Sequence, residues 1–136
     1  MTNLKKTSTE LVAEAFQQIE TLDVKDVHKQ SQEDKILLVD IRDSGELTKE
    51  GKIESAFHCP RGLIEFWIDP ENPNFKKQFD TDKKLVLFCA LGSRSALATK
   101  TLQDMGITNI AHIKDGFKAW KDSGFPVSVL EPPSFN

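Results

Sequence analysis

The sequence predicts an α/β domain built on a mostly parallel sheet covered on both faces. Three observations carry that expectation. Strand-like and helix-like segments alternate along all 136 residues, the pattern of strands linked by crossover helices. The best strand segments, "KILLVDIR" at 35–42 and "KLVLFCA" at 84–90, are continuous apolar runs rather than alternating ones, as expected of strands buried on both faces. The length suits one domain with one core that needs no staples.

The elements follow in chain order. Residues 8–20 carry Leu11, Val12, Ala15, Phe16 and Ile19 at helical spacing, with Ser8 or Thr9 as the expected cap and Glu10 favourable in the first turn. A short strand fits 19–22 and a short helix 24–31. The strand at 35–42 ends in charge. "DSGELTKEGKI" is turn-rich, with room for one helical turn, and "SAFHCP" is a short strand stopped by Pro60. "RGLIEFWIDP" puts Leu63, Ile64, Phe66 and Trp67 on a short helix ending near Pro70, and "ENPNFKKQF" is a loop with a short helical segment. The strand at 84–90 is followed by a helix over 93–106 that Gly106 stops. "ITNIAHI" is a third clear strand, "DGFKAWKDSG" a helix closed by Gly124, and "FPVSVLEPPSFN" an extended, proline-rich tail. No internal repeat or low-complexity segment interrupts the order.

Composition narrows the function. A net charge of −3 sets up no field that would favour nucleic acid or an anionic membrane. No apolar run approaches the ~20 residues of a spanning helix. The start, "MTNLKKTSTELVAEAF", lacks the apolar stretch of a secretory signal. Two cysteines are no disulfide framework. A reducing cytoplasm is therefore the expected compartment, with Cys89 a free thiol.

In parallel sheets ligands bind at the carboxyl ends of strands. Three strand ends here carry polar or reactive groups: Asp40 and Arg42, the stretch 58–61, and the stretch 89–95. The last reads "CALGSRS". Cys89 sits at a strand-to-helix junction, and the residues after it, Ala90, Leu91, Gly92, Ser93, Arg94 and Ser95, form a tight loop whose N–H groups can point inward. Such a nest ahead of a helix is an anion site and favours thiolate over thiol. Gly92 lets the loop curl. Arg94 adds a planar fork of donors, and Ser93 and Ser95 can donate to an anion or to the sulfur. The bland reading, a cysteine that merely packs, has no use for this cradle.

These segments resemble the rhodanese family of single-domain sulfurtransferases. "CALGSRS" looks like the family's active-site loop, Cys-x-x-Gly-x-Arg-Ser. "LLVDIRDSGEL" resembles its Asp-x-Arg signature with a following glutamate, "GKIESAFHCP" its Gly-His-Ile-x-Gly-Ala segment, and "IKDGFKAWKDSGFPV" its C-terminal Gly-Gly and Gly-x-Pro pattern. They stand in the family's order over roughly 19–127. The resemblance implies a rhodanese-like three-layer domain with a central five-stranded parallel sheet flanked by helices. It also implies an N-terminal helical extension at 1–18, the domain at 19–127 and a tail at 128–136. The implied activity is that of a thiosulfate sulfurtransferase. Cys89 would take sulfane sulfur from thiosulfate or another donor as a persulfide and pass it to cyanide, a small thiol or a protein thiol, with no metal or organic cofactor. Four residues separate Cys89 from Arg94. Related cell-cycle phosphatases and arsenate reductases use a loop one residue longer, as tyrosine phosphatases do, so the shorter loop favours sulfur. Lys52, Ser55 and Asp115 depart from the family's pattern and put local turn geometry in question.

Other residues have plainer readings beside the functional ones. Asp40 and Arg42 support the site by analogy, and a structural ion pair is the better explanation. Glu46 ties down a turn. Arg61 is placed at the mouth to help bind an anionic donor, against a solvated surface arginine. Cys59 is core, with a second redox thiol as the alternative. The three histidines make no ligand pattern. His58, the one near a strand end of the active region, fits a structural hydrogen bond. Trp67 fits core or cleft wall. The other functional class is a non-enzymatic persulfide carrier or protein-interaction module of the same fold.

Overall fold

The computed structural model describes residues 2–130, so the last six residues of the expected tail lie outside the described residues. Five strands form one parallel sheet: β1 (Glu20–Leu22), β2 (Ile36–Asp40), β3 (Phe57–His58), β4 (Lys84–Phe88) and β5 (Ile110–Ile113), in the spatial order β1-β5-β4-β2-β3. Six helices cover it: α1 (Ser8–Gln18), α2 (Val24–Gln32), α3 (Ser44–Glu50), α4 (Ile64–Ile68), α5 (Ser93–Asp104) and α6 (Gly116–Asp122). The expected fold class and strand count are those found.

The apolar runs make two cores because successive side chains of a strand point to opposite faces. Val39, Ile41, Leu85, Leu87, Cys89 and Ile110 fall on one face with Ala98 and Leu102 of α5. Ile36, Leu38, Val86, Phe88 and Ile113 fall on the other, against Val27 of α2 and Trp120 of α6. α1 packs against α5. Among the described residues no helix is long and apolar enough to cross a membrane.

The structure revises two local expectations and bears out a third. The cap of α1 is Thr7 rather than Ser8 or Thr9, with a reciprocal box to Glu10. The turn-rich stretch after β2 is the two-turn helix α3, nucleated by a box between Asp43 and Glu46. β3 has only two residues, because Pro60 and the 3-10 turn Arg61–Leu63 end it at once.

The order of strands positions the site. The chain leaves β2 toward β3 on one side and leaves β4 toward β5 on the other. The carboxyl ends of β2 and β4 therefore flank the point where connections part, which is where open parallel sheets bind ligands.

Candidate active site

β4 ends at Phe88, and the next residue is Cys89, 1% exposed. The chain then curls through Ala90 and Leu91 to Gly92. Gly92 takes φ +118°, a conformation that favours glycine, and opens α5. The curl brings two backbone N–H groups onto the sulfur: Gly92 N donates to Cys89 Sγ at 3.1 Å and Ser95 N at 3.4 Å. The loop's carbonyls turn the other way. Cys89 O accepts from Phe117 N at 2.8 Å and Ala90 O from Lys118 N at 3.1 Å, so the first turn of α6 is satisfied by the loop. That seating needs close approach. A Cβ on Gly116 would stand 2.3 Å from the Cys89 carbonyl oxygen. Asp115, where the family pattern has glycine, holds the same turn at φ +57°, a left-handed conformation that aspartate tolerates.

Arg94 stands in the first turn of α5. Its guanidinium forms a two-pronged pair with Glu46 of α3, at 2.7 and 2.9 Å. Glu46 also accepts from Asp43 N to close the capping box. Hydrogen bonding from Arg94 pulls the Glu46 carboxyl down to about 2, and the pairing in turn raises Arg94. Glu46, expected to tie down a turn, also ties α3 to the loop.

Asp40 and Arg42 pair with each other, as their structural reading has it. Both are buried, with Nη2 to Oδ2 at 2.7 Å and Nε to Oδ1 at 3.0 Å. Nη2 also donates to the Gly51 carbonyl, and the guanidinium lies 4.0 Å from the Phe117 ring centre. Arg42 and Phe117 line a cleft of about 670 Å³, with Ala90 and Leu91 on the loop side and Lys49 and Lys121 on the rim.

Arg61, expected at the mouth, follows Pro60. It opens the 3-10 turn and pairs with Glu65 at 2.9 Å, outside the cleft lining, because the turn after Pro60 puts it one helical step from that carboxylate. Ser93 lines a groove between α1 and α5. His58 donates through Nε2 to the Arg42 carbonyl at 2.6 Å, a structural bond. Cys59 is core, and burial, followed by the charge of Glu65, pushes its thiol up to about 12. Trp67 packs by Phe57, against the core.

The residue that sequence reasoning missed is His112. It is fully buried on β5, with Nδ1 2.9 Å from Ser95 Oγ and Nε2 3.0 Å from Thr21 Oγ1. The signal was available: one polar residue inside the apolar run "IAHI" must find partners. Burial pushes the imidazole down to about 4. A histidine held below its unfolded value contributes stability that is fully present above pH 6.5 and is lost as pH falls toward 4, since the unfolded chain binds the proton first. The urea midpoint is thus expected to decline over that window, and to decline less in His112→Asn. Equal slopes for the two proteins would refute the assignment.

Comparison with known proteins adds four findings. The family model for the rhodanese-like domain matches residues 23–123. A solved protein of unknown function from Rhodopseudomonas palustris, described as a possible tyrosine phosphatase, is 44% identical with a TM-score of 0.89, covering 94% of this chain and 98% of that one. The polysulfide-sulfur transferase homodimer of Wolinella succinogenes is 32% identical with a TM-score of 0.66, covering 88% of this chain and 85% of that one. A sulfurtransferase of Allochromatium vinosum is 30% identical, covering 71% of this chain and 81% of its own length. For the first curated relatives the chain spans only 54% and 63% of their length.

Proposed function

The chain belongs to the rhodanese-like domain family, and on that premise we propose that it is a sulfurtransferase with Cys89 as nucleophile and sulfur carrier. The observation that carries the reading is the pair of loop N–H groups on Cys89 Sγ at the start of α5. They favour negative charge on the Cys89 sulfur that attacks.

The reaction balances without a cofactor. The Cys89 thiolate attacks the outer sulfur of thiosulfate or another sulfane donor. A Cys89 S–S bond forms, the donor's S–S bond breaks, and the rest of the donor, sulfite in the case of thiosulfate, leaves with the electron pair. Cyanide, a small thiol or a protein thiol then attacks the outer sulfur and frees the thiolate. The cleft beside Ala90 and Leu91 is the route by which donor and acceptor reach the loop. A cytoplasmic setting, where the thiol stays reduced, fits this chemistry.

The 44% identity to a possible tyrosine phosphatase supplies a second reading, phosphate ester hydrolysis. The loop speaks against it: only four residues lie between Cys89 and Arg94, and the guanidinium is engaged by Glu46. Assays with thiosulfate plus cyanide and with p-nitrophenyl phosphate separate the two. Turnover of the ester alone would reject sulfur transfer, and loading without turnover would mark a non-enzymatic carrier.

Arg94→Ala removes the loop's guanidinium and leaves the Glu46 carboxylate unpaired beside an anion site. Thiosulfate turnover is expected to fall by the worth of a charge-assisted contact, about 1.5–3 kcal/mol in kcat/KM. Glu46→Gln keeps the guanidinium and should lose less. Steady-state kinetics in which neither variant differs from the parent would take the pair out of the site.

A further inference from the structure

A chain of polar contacts leaves the Cys89 sulfur on the side away from the cleft. Cys89 Sγ lies 3.6 Å from Ser95 Oγ, Ser95 Oγ lies 2.9 Å from His112 Nδ1, and His112 Nε2 lies 3.0 Å from Thr21 Oγ1. Three segments distant in sequence supply it: α5, β5 and β1. The ring's register partners are Leu87 of β4 and Thr21 of β1, and the Phe16 ring of α1 covers it at 5.2 Å. Core packing alone does not explain a buried histidine whose two nitrogens both meet hydroxyls, one of them in contact with the nucleophile.

We propose that His112 is a positioning residue for Cys89, acting through the Ser95 hydroxyl. The inference rests on Cys89 being the nucleophile. The Ser95 hydroxyl has one proton and three neighbours within reach: the Gly92 carbonyl at 3.1 Å, His112 Nδ1 and the sulfur. In the thiol form, S–H donates to Ser95 Oγ and the hydroxyl donates to the Gly92 carbonyl. When the thiol proton has gone to solvent, the tautomer with N–H on Nδ1 donates to Ser95 Oγ, Thr21 O–H donates to Nε2, and the Ser95 proton turns to the sulfur. The Gly92 carbonyl keeps its bond from Ala96 N. A third donor thus joins the two loop amides only if Nδ1 occupies the hydroxyl's lone pair. In the neutral ring the Thr21 O–H on Nε2 selects this tautomer, and burial, with Ser95, Thr21, Leu87 and Phe16 around it, keeps the ring neutral at neutral pH. The nearby charge acting on Cys89 is Arg94, already paired with Glu46. The same arrangement gives the N-terminal helix a role: Phe16 shields the relay.

The test is the pH profile of Cys89 alkylation by iodoacetamide, read by intact mass, which needs no sulfur donor. His112→Asn keeps a side-chain N–H where Nδ1 stands; His112→Gln keeps only the reach of Nε2 to Thr21. His112→Gln, His112→Leu and Ser95→Ala are expected to move the midpoint up by about one pH unit and slow alkylation at neutral pH about tenfold. His112→Asn is expected to track the parent protein. If His112→Leu does not fold, the contrast between Asn and Gln still decides. Profiles for His112→Gln and Ser95→Ala that superpose on the parent, or an Asn variant shifted as far as the Gln one, would overturn the proposal. Normal alkylation shifts in a protein that never loads sulfur would reject the sulfur-transfer reading and leave the positioning role standing.

Discussion

Cys89→Ser is expected to abolish sulfur loading and turnover together. A serine hydroxyl at that point would receive the same N–H groups from Gly92 and Ser95, so the fold and the cradle survive. The hydroxyl neither ionises at neutral pH nor forms a persulfide, and the loss in kcat should be on the order of 10⁴-fold or more. Cys59, the other cysteine, offers no rescue. It is fully buried, and its thiol is pushed up to about 12. Incubation with thiosulfate should therefore raise the intact mass of the parent protein by one sulfur atom and leave the variant unchanged. A sulfur-bearing species in Cys89→Ser would remove Cys89 from the mechanism.

The largest stability effect is expected at Asp40. Its carboxylate neutralises Arg42, whose side chain is 1% exposed. Asp40→Ala strands that guanidinium between the Gly51 carbonyl and the Phe117 ring, and breaking a buried pair from one side costs about 3–5 kcal/mol. The midpoint of thermal unfolding should drop by on the order of 10 °C. Replacing both partners by apolar residues of similar volume should recover much of the loss, since the desolvation cost of the two charges disappears with them. If Asp40→Ala melts with the parent protein, the pair is not what holds the ends of β2 and α3 together.

The parts of the fold that could be read in advance are those where one physical demand dominates. β2 and β4 are apolar at every position that enters a core, so their period could not be mistaken. The cysteine loop was legible because thiol, glycine, arginine and serine have few joint uses. α3 was read as turn because only Leu47 of it is buried, and its signal is the capping box rather than an apolar stripe. The site's long-range pairings were not legible. Arg94 was read as a fork of donors at the loop, and its pairing with Glu46, 48 residues earlier, was not foreseen. Arg61 was placed at the mouth because a strand ends nearby, and one tight turn sends it to Glu65. His112 was passed over because histidines were weighed as metal ligands, whereas its partners are hydroxyls that only the sheet register brings together.

The seating of the loop on α6 has a further consequence. The Cys89 and Ala90 carbonyls are spent on Phe117 and Lys118, while the Gly92 and Ser95 N–H groups turn to the sulfur. An anion meets donors fixed by the fold itself. The preference for negative charge is thus written into peptide orientation, beneath any side chain. Changing rim residues such as Lys49 or Lys121 should alter how often an anion arrives, while the sign of the charge the loop accepts stays the same.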